Sequence, residues 1–440
     1  MSDDSALNPI PGPIPGPASD PAANPARKSF APRVPTLCRL ACQGFEMFFS
    51  DRADDPRMPG LIPRAIIGPW WNGVTALCAP EMEKYERRLK TIIGTGEFSE
   101  ADQLAVELQK LAIAWTNRLL EELDRADGDK SLKMVFENPL LVADLREIAR
   151  ILPLSPALKS HLNIAYSLLD EADQMEGLRV LDLSPDTVAM LKSQYLGFAE
   201  SSGNDARYFA LALVNRMQRP WQILMLGRAL SWLPGDAGTR HSEFDAVAQR
   251  LVMELQRLGN EMAGFAKSAE PAPDLARDMA RLQALTSRYF DEAEGMEGIP
   301  AMAAGSPWAK TMRETHRNLA AAFDRNFLDR VSKVVFDAER RPSPESAEAA
   351  QAGAGFLALL LEHGARFGLS ANARETTADL AQRIGNAAQN LIEAKRAAPG
   401  HSQFDAHLQA MLRVTEIVFK DGPGAQLARD MRMARQSSAA

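Results

Sequence analysis

The side chains in this chain whose type and spacing come closest to chemistry are carboxylates. Asp170-Glu171-Ala172-Asp173-Gln174-Met175-Glu176-Gly177-Leu178 returns, altered, as Asp291-Glu292-Ala293-Glu294-Gly295-Met296-Glu297-Gly298-Ile299. The candidate acidic binding positions are therefore Asp170, Glu171, Asp173 and Glu176 in the first block, and Asp291, Glu292, Glu294 and Glu297 in the second. Carboxylate oxygens are hard ligands, so two such blocks could hold a divalent cation or meet a basic partner. Gly177 and Gly298 read as helix stops, which puts the acids in the last turns of helices. Negative charge there opposes the helix dipole, at about 0.3–1 kcal/mol per exposed charge. Arg179 for the first block and Arg288 for the second are the simplest compensation.

Two acidic stretches in a helical chain resemble, in general outline, the isoprenoid synthases. That resemblance implies Asp-rich motifs on facing helices whose magnesium ions grip a diphosphate. The Asp-Asp-x-x-Asp such sites require is missing here, and Gly295 interrupts the second block. A solvated acidic face accounts for the same residues. Magnesium is the only cofactor the sequence suggests, and only under this enzymatic reading.

Other catalytic patterns are not found in the sequence. His161, His241, His316, His363, His401 and His407 include no His-x-x-x-His pair, so each is expected at a surface or beside a helix cap. Gly94-Thr95-Gly96 and Gly353-Ala354-Gly355 lack the other fingerprint glycines and a preceding strand, and read as turns or close helix contacts. No Gly-x-Ser-x-Gly elbow occurs. Cys38 and Cys42 lie one helical turn apart, but Cys78 is too distant in sequence to complete a metal site. The three thiols read as small buried hydrophobes in a reducing, cytoplasmic compartment. No catalytic residue is assigned.

A second kind of candidate is aromatic. Phe48, Phe49, Trp70 and Trp71 could anchor a protein partner or a membrane interface, since indole suits a half-wet boundary. The competing reading makes Leu61–Trp71, broken by Pro63, Gly68 and Pro69, a loop that caps a helical core.

The elements that would carry these residues are helices. Ala, Leu, Met, Arg, Glu and Gln dominate, and straight side chains lose little rotamer freedom in a helix. Ser99 with Asp102 opens a helix to about Asp124, and Asn138-Pro139 opens another through Ile151. Ser155-Pro156, Ser184-Pro185, Ser306-Pro307 and Ser343-Pro344 each pair a capping serine with a proline whose missing amide costs nothing at the first helical position. Ala206–Leu233, broken at Pro220, is apolar enough to sit at the centre of a module. The expected fold is all-α, a multi-helix bundle or an α-solenoid.

His241-Ser242-Glu243-Phe244-Asp245 is echoed by His401-Ser402-Gln403-Phe404-Asp405, in the same order relative to the acidic blocks. A diverged tandem duplication follows as an expectation. The chain then divides into a disordered Pro/Gly/Ala-rich leader (1–35), an N-terminal helical module (36–152), two repeat halves (153–267 and 271–425) and a frayed tail (426–440). A net charge of −7 argues against general nucleic-acid binding, and no apolar run reaches the ~18 residues of a membrane span. The expected function is a non-enzymatic scaffold or adaptor that holds a protein partner in a groove between helical halves. The alternatives are a metal-dependent enzyme acting on a phosphorylated or isoprenoid-like substrate, and a peripheral membrane protein.

Overall fold

The computed structural model describes residues 36–43, 48–50, 60–95, 99–169, 183, 185–214, 217, 219–232, 241–267, 275–299, 306–340, 343–398, 401, 403–419 and 423–436. The fold is all-α. Its described strands are two residues long, β1 (Phe49–Ser50) and β2 (Ile62–Pro63), paired in parallel. The leader 1–35, the first acidic block and Arg179 lie outside the described residues.

The chain forms two compact units, the first spanning 1–180 with 211–216, the second 181–210 with 217–440. Within the first, the helices are α1 (Leu37–Ala41), α2 (Ile67–Leu77), α3 (Ala79–Thr95), α4 (Ser99–Asp124), α5 (Lys130–Val135), α6 (Pro139–Ile151) and α7 (Ser155–Leu169). Helix α4 is the hub, touching α1, α2, α3 and α6. Its apolar positions Leu104, Leu108, Ala112 and Leu119 recur at helical spacing and are buried. The Asn138 side chain accepts from the Leu140 amide to start α6. Ser155 begins α7 as expected, but its hydroxyl donates back to the Ile151 carbonyl, because a 3₁₀ turn (Leu152–Leu154) runs directly into the helix.

The second unit contains α8 (Pro185–Ser202), α9 (Arg207–Val214, its last turns grouped with the first unit), α10 (Ile223–Ala229), α11 (Phe244–Lys267), α12 (Leu275–Glu297), α13 (Pro307–Ala322), α14 (Arg325–Arg340), α15 (Pro344–His363), α16 (Ala371–Ala397), α17 (Gln403–Val418) and α18 (Pro423–Gln436). Ser306 caps α13 and Ser343 closes a capping box on α15, as the Ser-Pro pairs predict. Helix α15 is central, packing on α12, α14, α16 and α17. Its buried run Ala349, Ala350, Ala352, Gly353, Ala354, Gly355 explains how so many neighbours fit, since small side chains let helices approach closely. A Cβ at Gly353 would stand 3.0 Å from the Val335 side chain, and one at Gly355 would collide with Gln283. That glycine pair is a helix contact in mid-helix.

Candidate functional site

Helix α12 carries the second acidic block into the second unit, and its last turns split the acids between two sides. At ~100° per residue, Glu297 faces roughly away from Arg288 and Glu292, while Asp291 and Glu294 lie about 60° apart on the arc between them.

On the first side, Asp291 pairs with Arg219 Nε at 3.4 Å. Glu292 is 4% exposed and accepts from the Trp221 amide at 3.3 Å, at the start of the 3₁₀ turn Pro220–Gln222 that leads into α10. Burial pushes the Glu292 carboxyl up to about 8, with Asp291 and Glu254 adding to the rise, while Arg288 and the Trp221 amide act against it. Gly295 is explained here. The Trp221 indole lies directly on it, where any Cβ would overlap the ring. The residue that interrupts the acidic block makes room for a tryptophan. Arg288, expected to offset the acids, does so electrostatically at Glu292 while forming its ion pair with Glu254 of α11 at 3.0 Å. Glu254 also holds Arg257 at 2.8 Å, and Arg257 holds Glu261 at 2.7 Å, in a half-buried ladder along α11.

On the other side, Arg366, in the turn after α15, bridges Glu294 and Glu297, reaching Glu297 at 3.3 Å. Each of these acids also faces a histidine: His363 Nδ1 lies 3.6 Å from Glu294, and His316 Nδ1 lies 3.8 Å from Glu297. Beneath them is an aromatic box. Phe367 stacks on Phe290 at 4.6 Å and receives the His316 ring edge-on at 4.8 Å, with Tyr289 beside both. Tyr289 is fully buried, and among the described residues neither its hydroxyl nor the buried His316 Nε2 has a hydrogen-bond partner. Burial, then Arg366, lowers the His316 pKa to about 4, so the imidazole stays neutral at pH 7. Burial, then Glu297, raises the Tyr289 pKa. His316 thus corrects the expectation of a surface or cap position: it is an interior side chain of α13.

Chemically, this end of α12 works as a brace. Its cations and donors come from Arg219, Trp221 and Arg366, and each second-block acid is engaged by at least one of them. Among the described residues, no three His, Cys, Asp or Glu side chains are grouped to hold a metal ion. Asp170, Glu171, Asp173 and Glu176 lie outside the described residues. Nothing in the sequence ties His316, His363, Arg366 or Phe367 to these acids, because they reach α12 from elements farther along the chain.

The aromatic candidates sit in the first unit. Phe48, Phe49 and Trp70 are fully buried, and Trp71 is half-buried against Trp70 at 5.7 Å between ring centroids. The Trp70 indole donates to Thr116 of α4 at 2.9 Å. Leu61–Trp71 is a short strand and a 3₁₀ turn that lead into α2, which starts at Ile67 and tolerates Pro69 within its first turn. These rings fill the core of the unit; its exposed large apolar side chains are elsewhere, with Met134 at 72% and Val135 and Leu140 close in sequence. Among the described residues no helix is long and apolar enough to cross a membrane.

Comparison of the chain with protein-family models, with curated proteins and with solved structures returns no match.

Proposed function

We propose that this chain is a non-enzymatic helical scaffold or adaptor, cytoplasmic, that binds a protein partner between its two helical halves. The observation that carries this reading is a cleft of about 490 Å³ lined by Ala266, Lys267, Ala321, Ala322, Asp324, Asn326, Phe327 and Arg330. Ala266 and Lys267 end α11, the last helix of the first half read from sequence; the other residues belong to α13, α14 and the turn joining them, in the second half. A small apolar floor with a polar rim suits a few side chains of an inserted peptide segment. The likeness of the two halves is supported by their matching helix starts. The Phe244 amide donates to the His241 carbonyl at 3.1 Å, and the Phe404 amide donates to the His401 carbonyl at 3.3 Å.

The test fills the cleft. Ala321 is exposed, so Ala321→Trp occupies the groove without disturbing the core. Affinity capture from lysate of the source cells should recover a stoichiometric partner with the wild-type chain and lose it with Ala321→Trp at unchanged helicity. No stoichiometric partner, or equal recovery by both proteins, would overturn the reading. Against the metal-dependent alternative, the adaptor reading expects no thermal shift from magnesium plus diphosphate, because Glu294 and Glu297 are already held by Arg366. A saturable shift lost in Glu294→Ala with Glu297→Ala would favour the enzyme.

A further inference from the structure

We propose that Cys38 and Cys42 are a redox-modifiable dithiol, which a peroxide converts to an intramolecular disulfide. The two residues share one face of α1: the Cys42 amide donates to the Cys38 carbonyl at 3.0 Å, one helical turn back. Cys38 is half-buried and Cys42 fully buried, so one sulfur meets reagents from outside and the other waits behind it. Their side chains are hydrogen-bonded to each other, and that bond draws the Cys38 thiol below its ordinary pKa against the opposing effect of burial. Cys78 is the contrast within the same unit. Its thiol is buried and donates to the Val74 carbonyl at 3.0 Å, and burial pushes it up to about 11.

The chemistry balances in two steps. The Cys38 thiolate attacks one peroxide oxygen; the O–O bond breaks, hydroxide leaves and takes up a proton, and an S–OH group remains. The Cys42 sulfur then attacks that sulfur; the S–O bond breaks, the S–S bond forms, and the departing hydroxide leaves as water with the Cys42 proton. Two thiols are oxidised by two electrons and one peroxide is reduced to two waters.

The backbone permits the closure. Side chains one turn apart on a helix hold their Cβ atoms about 5–6 Å apart, against the ~3.5–4.5 Å a disulfide needs. Cys42 is the C-cap of a five-residue helix, and its amide is already shared between the Cys38 carbonyl and the Arg39 carbonyl at 3.2 Å. The Gln43 amide bonds to Leu40 at 3.3 Å, another tightened turn. A further contraction of this last turn therefore breaks no long helix. It does pull on the Gln43 carbonyl, which accepts from the Gln109 side chain of α4.

Arg39 lies between the cysteines, which makes a peptide map decisive. The reduced full-length chain is treated with hydrogen peroxide, alkylated under denaturing conditions and digested with trypsin without reductant. The expected product is peptide 34–39 joined to peptide 40–52, absent from Cys38→Ser, Cys42→Ser and Cys42→Ala, with Cys78 recovered alkylated throughout. Recovery of Cys38 and Cys42 on separate alkylated peptides, Cys38 as a sulfinic acid with no joined peptide, or a bridge to Cys78 would each overturn the proposal. Cys38→Ser alters only a half-buried side chain, so the test survives even if the Cys42 variants fail to fold.

Discussion

Two tyrosine–histidine–glutamate groupings lie in the second unit, alike in ring geometry and opposite in outcome. Tyr195 meets His241 edge-on with ring centroids 5.8 Å apart, and Tyr289 meets His316 at 5.7 Å in the same manner. In the first, the Tyr195 hydroxyl donates to Glu243, and His241 Nδ1 stands 3.1 Å from the same carboxylate. In the second, Arg366 holds Glu297, His316 Nδ1 stands 3.8 Å away, and neither the Tyr289 hydroxyl nor His316 Nε2 has a partner among the described residues. The difference lies in where the carboxylate comes from. Glu243 sits two residues from His241 in one tight turn, which His241 enters at φ 66°, and so reaches histidine and tyrosine together. Glu297 reaches His316 from another helix, and a guanidinium competes for it. Local chain geometry closes one grouping; tertiary competition leaves the other unsatisfied.

Substitutions in the two groupings should respond as differently as their hydrogen bonding does. The largest effect expected is a pH dependence at His316. Its folded pKa of about 4 lies below the unfolded value of about 6.5. Its contribution is therefore fully present above pH 6.5 and is lost as pH falls toward 4. Between pH 7 and pH 4.5, wild type should lose roughly 2–3 kcal/mol relative to His316→Gln, measured by denaturant unfolding. Parallel pH profiles would contradict the buried neutral imidazole. Next comes Tyr195→Phe, which removes a hydrogen bond to a carboxylate and should cost about 2 kcal/mol, whereas Tyr289→Phe, which removes a hydroxyl with no partner among the described residues, should be neutral or slightly stabilising. Equal costs for both would erase the contrast. The smallest is Arg366→Ala: the guanidinium is 42% exposed, so the loss should stay under about 1 kcal/mol and shrink further in high salt.

Much of the fold is legible in the sequence, and little of the site. Helix starts are local events, so Ser306, Ser343 and Asn138 announce them correctly. Ser155 also marks a start, that of α7, but its hydroxyl turns back to Ile151 because Leu152–Leu154 already coil ahead of it. The acids Glu294 and Glu297 stand out in the sequence, but their neighbours His316, His363 and Arg366 do not, since nothing in the spacing of α13 and α15 says they converge on α12. Trp70 and Trp71 look like an anchor because indole favours boundaries, yet Thr116 offers Trp70 the hydrogen bond it would otherwise seek from water. The interruption at Gly295 weakens a metal-motif reading in sequence, and its cause, the indole of Trp221, comes from a distant turn.

Of the α12 acids that brace the fold, Glu292 is the one held in its interior. Its folded pKa of about 8 is raised above the unfolded value of about 4.5. The stability it confers is full below pH 4.5 and is lost as pH rises through 8. Thermal and denaturant unfolding of wild type and Glu292→Gln should therefore agree closely at pH 4.5 and diverge with rising pH, the variant gaining about 3 kcal/mol over wild type between pH 5 and pH 8. A constant difference across that range would mean that Glu292 titrates as a solvated carboxylate, and the internal brace would have to be abandoned.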